Sequence, residues 1–196
     1  MTRTNTRSED VALVGEETVG NLARAALFAA LTGAFAYVSF TLPVTSVPFT
    51  LQVLGVFLAG AFLGPVWGFA SLSLYLVAGA VGAPVFAGGG AGLGSLLGPT
   101  AGYLWSYPPA AGVVGLAVHG VGDLRDPSTA GLGRLVGGMA AATVVIYALG
   151  TAGFVLVGNV GVRTALVTAA LPFVPAEALK AAACVAIVRS DAAAAR

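Results

Sequence analysis

Glu177 and Lys180 stand three residues apart in the last long apolar stretch of the chain, 175–188. Residues three apart on a helix share a face, so this stretch presents an anion and a cation side by side. Lys180 is the only lysine. The other acidic residues lie near the N-terminus (Glu9, Asp10, Glu16, Glu17), in one polar segment (Asp123, Asp126) and at the end (Asp191). Ionisable groups inside membrane segments are costly and usually line a cavity or a pathway. The chemistry on offer is a polar clamp for a small ligand: the ammonium pairs a ligand carboxylate, and the glutamate accepts N–H bonds. With a helix beginning at Pro175, Lys180 lies about 7 Å inside it, a depth suited to a site beneath a lid. A helix N-terminus also favours anions. The competing account is a plain ion pair with the lysine snorkelling to the interface.

The elements that must position this pair are apolar throughout. The chain has 196 residues, 58% hydrophobic and 9% charged, with a mean hydropathy of +0.94. A soluble domain carries about 25% charged residues, so the composition specifies a polytopic membrane protein. A net charge of +1 gives no basic surface for nucleic acid. One cysteine (Cys184) and one histidine (His119) exclude an intramolecular disulfide and a Cys/His metal cluster. The first twenty residues lack a basic segment followed by an apolar one, so they do not read as a cleaved signal peptide. We expect a disordered cytoplasmic tail over 1–20, one membrane domain over 21–190 and a short tail over 191–196.

Six apolar segments are readable: 22–42, 50–63, 66–81, 101–118, 135–157 and 175–188. A spanning helix needs about 20 residues, and the second, third and sixth fall short. Short helices and irregular backbone are tolerated where they are buried in protein or line a cavity. With the N-terminus inside, Arg3, Arg7, Arg24, Arg125, Arg134, Arg189 and Arg196 fall on the inner side, and only Arg163 and Lys180 on the outer. Positive charge marks the cytoplasmic side. The expected fold is therefore all-α, with six transmembrane helices and both termini cytoplasmic. Leu63-Gly64-Pro65 reads as a tight inner turn, and 119–134 as a polar inner loop.

That orientation puts three unusual connections outside: 43–48, the uncharged glycine-rich stretch 79–102, and 159–175. The glycine-rich stretch carries Val85, Phe86, Leu93, Leu96 and Leu97, which need somewhere to pack. It reads as a lid folded over the outer end of the bundle, because long loops in compact domains are usually functional. Gly88-Gly89-Gly90 does not follow the GxGxxG or GK[ST] spacing of phosphate loops. It suits close backbone approach to a ligand or a helix. Near the same face lie Thr50, Gln52, Tyr75, Phe86, Tyr103, Trp105 and Tyr107. Trp105 and Tyr107 also fit an interfacial aromatic belt, whereas a buried Gln52 amide needs partners. His119 reads as an inner-end residue without a catalytic role, and Arg24 as an interfacial anchor. In the first helix Ala26, Ala30 and Ala34 recur every four residues, as do Ala25, Ala29 and Gly33. Small-xxx-small faces admit a neighbouring helix, either within the bundle or on a partner membrane protein.

The order of these motifs resembles the BioY family, the biotin-binding S components of energy-coupling factor (ECF) transporters. The resemblance runs through Val44-Thr45-Ser46-Val47-Pro48-Phe49-Thr50-Leu51-Gln52, then Gly60, Leu63-Gly64-Pro65 and Gly68. It continues with Tyr75-Leu76, Gly79, Gly82, Pro84-Val85-Phe86-Ala87-Gly88-Gly89, Gly98-Pro99-Thr100 and Gly102-Tyr103-Leu104. It closes on Pro172-Phe173-Val174-Pro175 with Glu177 and Lys180. The resemblance implies a multi-pass plasma-membrane protein of prokaryotic type that binds biotin near its outer face. The implied site comprises Lys180, Glu177, Gln52, Thr50, Phe86, Gly88, Gly89 and Tyr103, with no cofactor or metal. In the family the position of Glu177 is usually aspartate, so this chain adds a methylene of reach. The implied partners are a transmembrane coupling subunit and two ATPase subunits; from the small-residue spacing, Ala26, Ala30 and Ala34 are our candidate docking face for them. The chain itself has no Walker motif.

Biotin suits such a pocket: a carboxylate, a ureido ring with N–H donors and a carbonyl, and an apolar ring and chain. Charge-assisted bonds contribute about 1.5–3 kcal/mol each, and two or three with apolar burial reach the roughly 8–12 kcal/mol of micromolar to nanomolar binding. The alternative is a proton-coupled secondary carrier for biotin or a related small carboxylate, with Glu177 as the proton site. A channel lacks a continuous polar path through the inner halves of the helices, and an intramembrane enzyme lacks a nucleophile–base set.

Overall fold

The first helix ends where its sequence turns aromatic and β-branched. α1 spans Glu16–Phe35 and gives way to Tyr37-Val38-Ser39-Phe40, residue types that favour extended backbone. In the computed structural model, which describes residues 15–41, 43, 45 and 47–190, that segment forms β1 (Ser39–Phe40). It pairs antiparallel with β2 (Phe49–Thr50), Phe40 opposite Phe49. This small hairpin corrects the all-α expectation at one point. α1 also starts at Glu16, inside the stretch expected to be tail; residues 1–14 and 191–196 of the expected tails lie outside the described residues.

α2 runs Gln52–Ala80 and breaks at Gly64, whose φ of 75° and ψ of −175° leave the helical region. Only glycine adopts such a conformation at low cost, and Pro65 starts the next turn without an N–H to satisfy. The break is a reversal. A Cβ on Gly68 would lie 3.1 Å from the Cα of Gly60, whereas eight residues of straight helix span about 12 Å. The two halves, 52–63 and 65–80, are therefore separate antiparallel rods, as the turn at Leu63-Gly64-Pro65 predicts. α3 (Leu93–Leu97), α4 (Ala101–His119), α5 (Leu132–Gly158), α6 (Val162–Ala169) and α7 (Val174–Val188) follow. Four described stretches are long and apolar enough to cross a membrane: Glu16–Phe35, Gln52–Ala80, Leu132–Gly158 and Val162–Val188.

α2 is the centre of the bundle. Val56, Phe57, Ala59 and Ala61 of its first half are fully or almost fully buried, with α1, α4 and α7 packed around it. Close approach rests on small residues. Gly60 faces the Ala111 carbonyl and Val114 of α4, and Gly102 faces Gly153 of α5. Ser71 donates to the Ala25 carbonyl at 2.7 Å. Ala25, Ala29 and Gly33 of α1 are buried, while Ala26, Ala30 and Ala34 are exposed. Leu27, Val66, Val144, Leu156 and Leu179 also point outward, each at least 65% exposed. Large apolar side chains around the whole perimeter are expected of a surface solvated by lipid.

His119 is fully buried at the end of α4. Its Nε2 contacts the Ala61 carbonyl at 2.8 Å, and its Nδ1 accepts from the Arg125 N–H at 3.0 Å. It ties the loop after α4 to the reversal in α2.

Candidate functional site

The three connections singled out in the sequence meet at one end of the bundle. Phe49 of the hairpin stacks on Phe173, beside Pro172 in the third connection, with ring centroids 4.0 Å apart. The glycine-rich segment folds across the opening between them. Phe86 is buried at 2% exposure because Gly79 leaves room for its ring, and it meets Tyr75 edge-on at 5.5 Å. Leu96 is also buried, whereas Leu93 and Leu97 stay exposed, so only part of the segment's apolar content seals the bundle. The segment is fastened to α1. The Gly88 N–H donates to the Ala36 carbonyl at 3.1 Å, and Tyr37 Oη donates to the Pro84 carbonyl at 2.7 Å.

Beneath this cover lies a cavity of about 400 Å³, inside the range of roughly 300–1,000 Å³ usual for small-ligand sites. Lys180, Glu177, Gln52, Thr50, Phe86 and Tyr103 all line it, so six residues expected from sequence converge. Gly88 and Gly89 do not; their neighbours Ala87 and Gly90 do. Both glycines have positive φ, 64° and 82°, so their part is to turn the segment. Tyr107, read as compatible with an aromatic belt, is buried and lines the cavity, while Trp105 is 54% exposed.

Glu177 and Lys180 are buried together, with Nζ 2.8 Å from Oε1 and side chains 6% and 7% exposed. The ammonium has three donors and spends one on this bond. Tyr147 Oη donates to the same Oε1 at 3.1 Å. Oε2 of Glu177 is buried and has no hydrogen-bond partner among the described residues. Buried polar atoms are nearly always paired, so this unpaired oxygen stands out on a residue that lines the cavity. Opposite, Gln52 Oε1 accepts from Thr50 Oγ1 at 2.9 Å and its Nε2 donates to Tyr75 Oη. The buried amide therefore has the partners it requires. Tyr103 rests on Gly150 and donates to the Ala169 carbonyl.

Tyr147 and Phe173 were not picked out as lining residues, nor were Ser95 and Thr100. Tyr147 sits mid-way along α5 among aliphatic residues. Its only sequence signal is that it is the one tyrosine of that helix.

Comparison with known proteins agrees with this geometry. The family model described as the BioY family matches residues 4–196. The chain is 40% identical to a biotin transporter BioY of Rhodobacter capsulatus, over 82% of this chain and 86% of that one. It is 41% identical to a probable biotin transporter BioY of Pyrococcus horikoshii, over 83% and 90%. Its fold matches the crystal structure of an S-component for biotin from an ECF-type ABC transporter, with a TM-score of 0.79 and 26% identity. That match covers 91% of this chain and 93% of the other. A pocket roofed by the glycine-rich segment and floored by the Glu177–Lys180 pair is thus found in a chain that belongs to the BioY family.

Proposed function

We propose that this membrane protein takes up biotin: it binds the vitamin in the roofed cavity and carries it across the bilayer as the S component of an ECF-type transporter. It is a transporter subunit and not an enzyme. The observation that carries the reading is the buried Glu177–Lys180 pair, which lines an aromatic-walled cavity and leaves one carboxylate oxygen without a partner among the described residues, beside an ammonium with donors to spare. The biotin-transporter relatives and the likeness to a biotin S-component favour this reading over a proton-coupled carrier.

The pair's geometry bears on which end of biotin it meets. Lys180 and Glu177 touch, whereas the carboxylate and ureido ring of biotin are separated by the bicyclic ring and the valeryl chain. Two touching groups cannot serve both ends of an extended ligand. A free acceptor beside free donors complements the N–H and carbonyl of a cyclic urea, so we assign the pair to the ureido end. The apolar ring then packs among Phe86, Leu104, Ile146 and Phe173, and the carboxylate meets the remaining donors of the cavity. Gln52, Thr50 and Tyr103 complete the polar wall.

For topology we propose six spans, formed by α1, the two halves of α2, α4, α5 and α7, with both termini cytoplasmic in the plasma membrane. Energy is supplied by a transmembrane coupling subunit and two ATPase subunits. The outward face of Ala26, Ala30 and Ala34 is the docking surface, because exposed small residues admit close helix approach.

Calorimetric titration of the detergent-purified protein tests this, with riboflavin and thiamine as controls. Selective biotin binding near one per chain is expected, and no binding by a folded protein would overturn the reading. Biotin methyl ester separates the two ends: with the pair at the ureido ring, Lys180→Ala weakens ester and acid alike. A loss confined to the acid would return Lys180 to the carboxylate.

A further inference from the structure

Tyr147 holds a position that a simple ion-pair clamp leaves unexplained. Its hydroxyl reaches from α5 to a carboxylate on α7, and donates to the same oxygen that Lys180 already holds. Its ring packs edge-on against Tyr103 at 6.2 Å and at a tilt of 45° against Phe173 at 6.3 Å, which fixes the hydroxyl's direction. Two donors therefore converge on Oε1, and Oε2, in a residue only 5% exposed, is left without a partner among the described residues. The carboxylate could otherwise turn either oxygen to a ligand. The double hold makes its two oxygens inequivalent.

We infer that Tyr147 is a positioning residue that sets ligand selectivity: by occupying Oε1 together with Lys180, it leaves Glu177 one unpaired oxygen for a ligand. This rests on the biotin reading above. A site with one unpaired acceptor beside an ammonium fits one edge of a cyclic urea, where an N–H lies next to the carbonyl oxygen. It disfavours a cyclic guanidinium, which offers donors only and sets a positive charge against Lys180. Without the tyrosine hydroxyl, Oε1 is released towards the cavity, and a ligand bearing only donors gains a second acceptor. Glu177 carries one methylene more than aspartate, and the oxygen at the end of that longer arm is the one Tyr147 meets. Selectivity at this end of the ligand then depends on a residue that need not touch the ligand itself.

The test compares biotin with 2-iminobiotin, in which the ureido oxygen is replaced by nitrogen, on the full-length purified protein. Tyr147→Phe keeps the ring and removes only the hydroxyl. Expected is an approximately tenfold loss of biotin affinity, about 1.4 kcal/mol. The loss for 2-iminobiotin should be smaller, so that the preference for biotin narrows at least threefold. A purely structural role would weaken both ligands equally, and that result, or unchanged biotin affinity, overturns the inference. Glu177→Asp gives an independent arm, because the shorter side chain withdraws from Tyr147: the same narrowing is expected, and an unchanged ratio counts against the inference. In a Glu177→Gln background, Tyr147→Phe should add less than a twofold loss; fully multiplied losses show that Tyr147 acts elsewhere. Absence of biotin binding by the wild-type chain would instead remove the biotin reading itself, and this inference with it.

Discussion

Replacing Lys180 by methionine separates the pair's role in folding from its role in binding. Methionine keeps a flexible apolar stem but leaves the Glu177 carboxylate with the Tyr147 hydroxyl alone, at 3.1 Å. Both charged side chains are more than nine-tenths buried, so water does not replace the lost ammonium. Breaking a buried pair from one side costs about 3–5 kcal/mol, and the surviving tyrosine bond places this case at about 3 kcal/mol. For a chain of this size 1 kcal/mol moves the unfolding midpoint by roughly 2–4 °C, so the ligand-free protein should melt about 6–12 °C lower. Replacing both partners by methionine removes the stranded charge and should return the midpoint to the wild-type value or above it. Biotin affinity behaves differently. It should fall at least tenfold in the single variant, about 1.4 kcal/mol, and stay low in the double one. Thermal unfolding of the detergent-purified, ligand-free protein reads the first quantity, and calorimetry with biotin the second. A Lys180→Met protein that melts and binds as the wild type does would refute the reasoning, because the pair would then be neither desolvated nor in contact with the ligand.

Other substitutions test the remaining assignments. Ala30→Leu places a branched side chain on the exposed face of α1; it should block co-purification with the coupling subunit while leaving biotin affinity within twofold. Tyr75→Phe removes the acceptor of the buried Gln52 amide and should destabilise the ligand-free protein by about 1–3 kcal/mol, read as a lower melting midpoint. Gly60→Val forces side-chain atoms into the backbone of α4, where even a Cβ would come within 2.7 Å of the Val114 Cβ. It should destabilise the fold by about 1–3 kcal/mol from overpacking, in contrast to Gly94→Ala, whose Cβ meets nothing within 4 Å.

What was legible in the sequence was what local chemistry fixes. Gly64-Pro65 marked a reversal because only glycine accepts that backbone and proline cannot continue the preceding hydrogen-bond pattern. The structure places the turn there. Glu177 and Lys180 were recoverable because helical spacing alone puts residues three apart together. Gln52 and Phe86 were flagged by type, an amide and an aromatic at the edges of apolar segments. The α1 stripes were visible as spacing, but which one faced outward was not: that depends on how α1 seats on α2, through Gly55 against Thr32 and Ser71 against the Ala25 carbonyl.

Local sequence was enough to specify a membrane protein, the positions of α2, α4, α5 and α7 to within a few residues, and the one charged pair placed within them, but it set α1 too late and left α3 and α6 as loop. Apolar content, glycine–proline punctuation and helical period are properties of neighbouring residues. The tertiary structure alone decided that Tyr147 reaches Glu177 from thirty residues away, that Gly88 and Gly89 turn the covering segment while Ala87 and Gly90 line the cavity, and that Tyr107 faces inward. It also decided that Oε1 of Glu177 is held by two donors while Oε2 is left without a partner among the described residues. Each of these depends on where two helices cross and how their side chains interlock. No periodicity within one segment encodes that, because the direction of a side chain in a packed bundle is settled by the neighbour it meets.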